Sequence, residues 1–459
     1  LDRLSPQSVD FTADIDCRLL TKIIRTLKEQ LESVRTWQTQ PTSYLIIACV
    51  GMTEAHLKKD PWAARERAIG LPEFFKMAGG SLAHVPRLFR NLALEMIPDI
   101  RSYFGLLCRN IPEMKKALSA LDRFETALKE LHVSDTFHLS KEWVGEVFKS
   151  HINTGMDPDE IETALEEEID GMQQVLLSTA AKISPHLLWK EAIKQIPLPQ
   201  VDQSGLIGLY RQQVHELVHH CVDAGIVPAA LAKQCPANVE PLPEFFSATR
   251  TASSYSIKPQ YPPTGGTFYV FNAADPEEAR QPYQREYRLL AAHETWPGHH
   301  LLDVCRWGLE RPVRRVVEQP MYYEGWACFS EELMHRTGYF PSDYDRLQLA
   351  RRRLWRAIRG KLDLKLQTGA MDIETAARYL SQTGIEISRA RATVRKYALN
   401  PGYQLCYTIG LRYFLDLFTN FGRNRPQWFA KTVLTQGEIG FNDLREVLKN
   451  KAAEEALKQ

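Results

Sequence analysis

His293-Glu294-Thr295-Trp296-Pro297-Gly298-His299-His300 gathers one carboxylate and three imidazoles into eight residues, and Glu324-Gly325-Trp326-Ala327 follows downstream. Together the two stretches read as a two-part zinc site, because catalytic zinc is held by three protein ligands such as two His and one Glu, with a position left for water. The spacing is irregular for a helix. Six steps of about 100° place His299 roughly 120° from His293, and His300 returns to the same face only about 10 Å along the axis. Pro297 and Gly298 supply the remedy. Proline removes a backbone donor and clashes with the preceding turn, and glycine accepts unusual dihedrals, so the helix is expected to bulge and extrude about two residues, returning His293 and His299 to adjacent positions.

A rival stretch, His215-Glu216-Leu217-Val218-His219-His220, has the uninterrupted His-Glu-x-x-His spacing of metalloproteases. Its two His stand about 40° apart and one turn along a helix, so by pattern alone it is the more regular motif. Glu244 follows His219, and Glu324 follows His299, each by 25 residues. Context separates them. Glu244 sits in the proline-broken Pro241-Leu242-Pro243-Glu244, whereas Glu324 opens a helix-compatible run to Met334 that can pack beside the metal-bearing helix.

Working outward, helical periodicity predicts a mainly α protein: Cys17 to Trp37 carries Leu19, Leu20, Ile23, Ile24, Leu27 and Leu31 at three-and-four spacing, and Asp157-Pro158-Asp159-Glu160 is a helix start for a run to Ile183. Similar runs cover Leu206–Ala224, Pro276–Ala292, Tyr344–Leu366 and Asp372–Leu380. The texture changes between Pro236 and Asn272. Five prolines interrupt the helices there, and Gly265-Gly266-Thr267-Phe268-Tyr269-Val270-Phe271 reads as a strand after a turn, part of a small antiparallel element whose free edge would suit an extended peptide. The chain is therefore expected to be one helical catalytic unit, 1–459, with an N-terminal helical half, 1–240, and a C-terminal half, 241–459, carrying the metal site.

Bulk composition excludes several classes. Of 459 residues, 57 are basic and 56 acidic, a net charge of +1 that points neither to nucleic acid nor to an anionic membrane surface. The densest apolar run, Tyr44 to Val50, is too short to span a bilayer. Eight cysteines without a Cys-x-x-Cys pair read as buried hydrophobes in a reducing compartment, so the cytoplasm is the default; a chain beginning at Leu1 leaves room for a removed signal segment.

The combination of HETWPGHH, EGWACFSEEL and Pro401-Gly402-Tyr403-Gln404-Leu405-Cys406-Tyr407-Thr408-Ile409-Gly410 resembles a widespread bacterial family of zincin-like proteins with the signatures HE-x-x-PGHH, EGWA and PGQ-x-x-x-Y-x-x-G. The resemblance spans about residues 265 to 420, and the family is distantly similar to the helical metallopeptidases of the thimet-oligopeptidase and angiotensin-converting-enzyme group. It implies a large helical zincin-like (gluzincin) fold, with His293, His299 and Glu324 as ligands of Zn2+, Glu294 as general base and Tyr407 as the donor to the oxyanion. Two departures stand out. Tyr403 occupies the usual Gln position, with Gln404 one place later, and Gln367 stands where relatives carry His.

The mechanism expected on this basis is hydrolysis of amide bonds in short peptides by metal-activated water. His300 and Asp303 are candidates for supporting the ligands, Asp303 through the free nitrogen of a ligand imidazole, and Gln404 for contacting substrate. Glu331 and Glu332 can orient a ligand from the other helix, and Arg285 and Arg288 can meet a substrate carboxylate. Two alternatives remain open: a metal-dependent hydrolase of a non-peptide small molecule, and a metal-free helical binding scaffold.

Overall fold

The computed structural model describes residues 10–57, 60–201, 205–243, 252–271, 277–383 and 385–457. Helices dominate it, as the periodicity predicts. Those that build or support the site are α1 (Pro158–Ile183), α2 (Gly205–Asp223), α3 (Glu277–Glu294), α4 (His299–Trp307), α5 (Pro320–Arg336), α6 (Asp343–Gln367) and α7 (Leu405–Leu417). The helix start read at Asp157 is a full capping box: its carboxylate accepts from the Asp159 and Glu160 N–H groups, and Glu160 accepts in return from the Asp157 N–H at 2.8 Å. For α3, the expected first residue, Pro276, lies outside the described residues. The run expected from Cys17 to Trp37 is instead a helix over Phe11–Glu29 that passes into a π-helical turn at Gln30–Val34 and stops at Arg35.

Three strands occupy the proline-rich segment: β1 (Ala237–Pro241), β2 (Ser254–Ile257) and β3 (Gly266–Val270). The sheet is mixed, in the order β1-β3-β2, with β3 parallel to β1 and antiparallel to β2. The expected free edge at Gly265–Phe271 is therefore not there. Gly266, Phe268 and Val270 alternate inward, and both ladders of β3 are used, which leaves the outer edges of the sheet to β1 and β2.

The largest hydrophobic cluster joins Tyr210 and Leu217 of α2 and Phe268 of β3 to Trp326 and Phe329 of α5 and Phe414 of α7. Packing thus runs across position 240, so the two sequence halves share one core. A second cluster belongs to the helices between Leu45 and Leu128. Helices α5 and α7 approach closely because both are bare at the crossing: a Cβ on Gly410 would stand 2.2 Å from the Met321 carbonyl oxygen and 2.7 Å from the Gly325 Cα. This close approach is what Gly325 of EGWA and Gly410 at the end of the third motif make possible, and it brings Glu324 beside Tyr403 and Tyr407.

Candidate metal centre

Helix α3 ends at Glu294 and α4 begins at His299. Between them the Thr295 N–H still bonds Ala291 O at 2.8 Å, but the Gly298 N–H reaches six residues back to Ala292 O at 3.1 Å, across a cis Trp296–Pro297 peptide. A Cβ on Gly298 would lie 1.9 Å from the His293 carbonyl oxygen, so only glycine fits this closed bulge. Trp326 of α5 fixes it further, its indole N–H donating to Pro297 O at 2.8 Å. The consequence is the one anticipated from Pro297-Gly298: the imidazoles of His293 and His299 sit side by side, ring centroids 4.8 Å apart.

Glu324 completes the group. Its Oε2 lies 3.6 Å from His293 Nε2 and 3.5 Å from His299 Nε2, and donor atoms of all three residues fall within 4.8 Å of one another. These separations are too long for hydrogen bonds, and Glu324 Oε2 is buried with no such partner. They match the spacing of ligands that each stand about 2.0–2.2 Å from a shared ion. Two nitrogens and one carboxylate oxygen are a donor set that zinc accepts, so the residues present fit the implied metal. Burial works against the charge on Glu324, but the two imidazoles outweigh it and hold this carboxyl well below the usual range.

The three candidate ligands are gripped from behind. His293 Nδ1 faces Glu331 Oε1 at 3.0 Å, and Glu331 is locked by Arg352 and Arg356 of α6. Glu324 Oε1 accepts from the Tyr403 hydroxyl at 2.7 Å. His299 stacks on the Tyr323 ring, centroids 4.0 Å apart. The support expected from Asp303 takes another form, because its carboxylate pairs with Arg306 and accepts from the Tyr323 hydroxyl at 3.3 Å, so it steadies the stacked ring rather than the imidazole. His300 also acts at one remove: its Nδ1 lies 3.1 Å from the Tyr255 hydroxyl and its Nε2 2.9 Å from Cys235 O, which ties β2 to the bulge. Burial pushes its pKa down to about 4, so it is a neutral strut.

Glu294 is 8% exposed, and its Oε2 accepts the backbone N–H of Tyr255 on the open edge of β2 at 2.9 Å. Burial raises its carboxyl to about 7, with nearby Glu324 adding to the rise and His299 opposing it. Tyr407 lies edge-on to Tyr403, centroids 5.9 Å apart, beneath the Arg359 guanidinium at 4.7 Å. Burial and then the Glu324 charge push its hydroxyl far above the ordinary value, so it remains a proton donor. Gln404 turns away, its side-chain oxygen accepting from Arg359 Nε at 2.8 Å. Gln367 is fully buried and donates to Ala398 O at 3.2 Å.

The rival motif does not assemble comparably among the described residues. His215 and His219 are exposed on α2 with Nε2 atoms 3.1 Å apart, Glu216 accepts from Gln212, and Glu244 lies outside the described residues. Arg288 is spent on Asp345 at 2.6 Å, whereas Arg285 donates only to the neutral Gln281 side chain and Lys194 O and keeps a buried Nε without a hydrogen-bond partner.

Residues 107–448 match the family described as bacterial protein of unknown function (DUF885). The chain belongs to that family. No curated protein matches it. Among solved structures it is similar to a "putative lipoprotein of unknown function" from Shewanella oneidensis, at 18% identity and a TM-score of 0.78, covering 97% of this chain and 90% of that one. A second likeness is to a "putative lipoprotein" from Colwellia psychrerythraea, at 17% identity and a TM-score of 0.73, over 86% of this chain and 77% of that one. At such identities the likeness establishes the fold. No described helix is long and apolar enough to cross a membrane.

The sequence singles out Tyr403 only as a departure from the family pattern, without a role, and gives no sign of Tyr323. Glu331 was weighed only as one of two acidic residues, although a signal existed: it follows Glu324 by seven positions, which returns it to the same face of α5.

Proposed function

We propose that this chain is a zinc-dependent, metallopeptidase-like hydrolase of amide bonds in short peptides. The observation that carries the reading is the convergence of His293, His299 and Glu324 beside a buried carboxylate, Glu294, that accepts from the open edge of a strand. The chemistry a zinc ion supplies in such a position is acidification of water toward a pKa of about 7 and polarisation of a carbonyl. Glu294, next in sequence to a ligand, is placed to take a proton from water and return it to the leaving amine. Tyr407 donates toward negative charge developing at the substrate carbonyl. The open edge of β2 offers main-chain partners to an extended peptide, which favours a peptide over a compact small molecule.

The test combines two measurements. Protein purified without a His tag should carry about one zinc per chain, and the holoprotein should cleave members of a short-peptide library. Glu294→Gln should retain the zinc and abolish cleavage. A zinc content near zero supports the scaffold reading instead, and zinc without peptide cleavage supports a non-peptide substrate.

For the compartment, the likeness to proteins described as lipoproteins supports the cell envelope over the cytoplasm. Among the free cysteines, burial pushes the thiols of Cys49 and Cys328 up to about 12 and keeps these two unreactive in either compartment. Fractionation of native cells decides the matter: recovery with cytoplasmic markers alone would restore the cytoplasmic expectation.

A further inference from the structure

A cavity of about 540 Å³ lies between the N-terminal helices and the segment 398–403, within the range of roughly 300–1,000 Å³ usual for ligand pockets. Tyr403 links it to the metal centre. The residue lines the cavity, and its hydroxyl donates to Glu324 Oε1 at 2.7 Å. A group seated in the cavity is thus separated from a metal-binding carboxylate by one side chain.

Three independent features set this cavity apart. First, none of its 23 lining residues is Asp, Glu, Lys or Arg, although a quarter of the chain is charged; the walls are aromatic (Phe89, Phe137, Trp143) with hydroxyls and amides between them. Four other cavities carry charged side chains in their walls.

Second, the non-glycine residues with positive φ among the described residues are Arg35, His84 and Asn153, at 53°, 53° and 70°. His84 lines the cavity, Arg35 falls between lining residues Val34 and Thr36, and Asn153 follows lining residue Ile152. Such conformations are strained for residues with a side chain and collect at functional sites.

Third, two π-helical turns, Gln30–Val34 and Val147–His151, contribute to the wall and are joined there, His151 Nδ1 to Gln30 Nε2 at 2.9 Å. Interruptions of this kind also concentrate at functional sites.

We propose that this cavity is the specificity pocket of the enzyme, seating an uncharged side chain, aromatic or amide-bearing, of a peptide whose scissile bond lies at the metal centre. The proposal rests on the peptidase reading and adds a substrate class to it. A charged side chain is disfavoured because the walls hold no Asp, Glu, Lys or Arg to offset its lost hydration, and of their imidazoles, His84, His138 and His151, the last is already paired with Glu29 at 2.7 Å. An aromatic or amide group gains ring contacts and hydrogen bonds there without that loss.

The test uses zinc-loaded Glu294→Gln protein, which holds peptides uncleaved, titrated calorimetrically with N-acetyl-Ala-X-Ala amides in which X is Tyr, Gln, Glu or Lys. Tyr and Gln peptides should bind at least tenfold more tightly than the Glu and Lys peptides. Two substitutions at exposed lining positions locate the effect. Ser140→Trp, which fills the cavity, should weaken the Tyr peptide tenfold or more, and Ser33→Asp should bring the Lys peptide level with it or above. Equal affinity for all four peptides, absence of binding, or indifference to both substitutions would overturn the pocket. The peptidase reading is judged separately on the unsubstituted chain. Cleavage without selectivity sinks the pocket alone, and selective binding without cleavage sinks the reading alone.

Discussion

His293 and Glu331 face each other at 3.0 Å, Nδ1 to Oε1, on the side of the imidazole opposite Glu324 and the candidate metal position. The ring is thereby held between two carboxylates one above the other on α5, with Glu324 at its other nitrogen. A carboxylate behind a ligand imidazole fixes its tautomer and raises its basicity. Glu331→Gln should therefore weaken zinc binding by about 10–100-fold in competition with a chelator, while the site still fills at saturating zinc. Arg352 and Arg356 would lose their shared partner, and removing one member of a buried ion pair costs about 3–5 kcal/mol, so a lowered melting temperature should accompany the weaker binding. Unchanged zinc affinity would strip Glu331 of this role.

Tyr403 and Tyr407 stand edge to face near Glu324, yet they should separate cleanly in kinetics. The Tyr403 hydroxyl already donates to Glu324 Oε1, so Tyr403→Phe should loosen the metal and leave kcat largely intact once zinc is saturating. Tyr407→Phe should do the converse: zinc affinity stays put while kcat falls about 10²–10³-fold, the loss of roughly 2.7–4 kcal/mol that follows removal of one oxyanion donor. Steady-state kinetics at several zinc concentrations tells the two apart, and the opposite pattern would exchange their roles.

What the sequence disclosed and what it withheld divide along range of interaction. The bulge was readable because an angular mismatch over six residues has a local remedy, Pro297-Gly298, and the cap at Asp157 is equally local. The pairing of β1 with β3 was not readable, since a parallel partner 29 positions away leaves no turn signature. The helix expected from Cys17 to Trp37 gives way at Gln30, where His151 from a distant segment binds it. The partners of Asp303 were not readable either, because the positions of Arg306 and Tyr323 around it depend on how α4 crosses α5.

The uninterrupted motif on α2 makes a sharp control. His215 and His219 lie exposed, 3.1 Å apart between Nε2 atoms, a geometry in which two solvent-facing imidazoles can chelate loosely but have no third donor among the described residues. The double substitution His215→Ala, His219→Ala should leave zinc content and hydrolysis unchanged, and the fold should be perturbed little, as is usual for surface positions. Loss of the tightly bound zinc in that variant would move the active centre to α2.

Asp363 offers a pH signature independent of the metal ligands. It is fully buried on α6, and one carboxylate oxygen accepts the Gln404 N–H at 2.9 Å while the other has no hydrogen-bond partner. Burial raises this carboxyl to about 7, against the lowering effect of the backbone N–H groups and Arg359. Between the unfolded value near 3.9 and about 7, the native state keeps a proton that the unfolded chain has released. Native stability must then fall as pH rises through that window, by roughly 2–4 kcal/mol in total, and level off above it. Asparagine can accept the same N–H without ionising. Asp363→Asn should therefore match the parent near pH 4 and surpass it increasingly toward pH 7, with the gain in melting temperature retained at pH 8. A difference that stays constant, or one that shrinks as the pH rises, would mean that Asp363 carries its charge in the folded protein throughout this range.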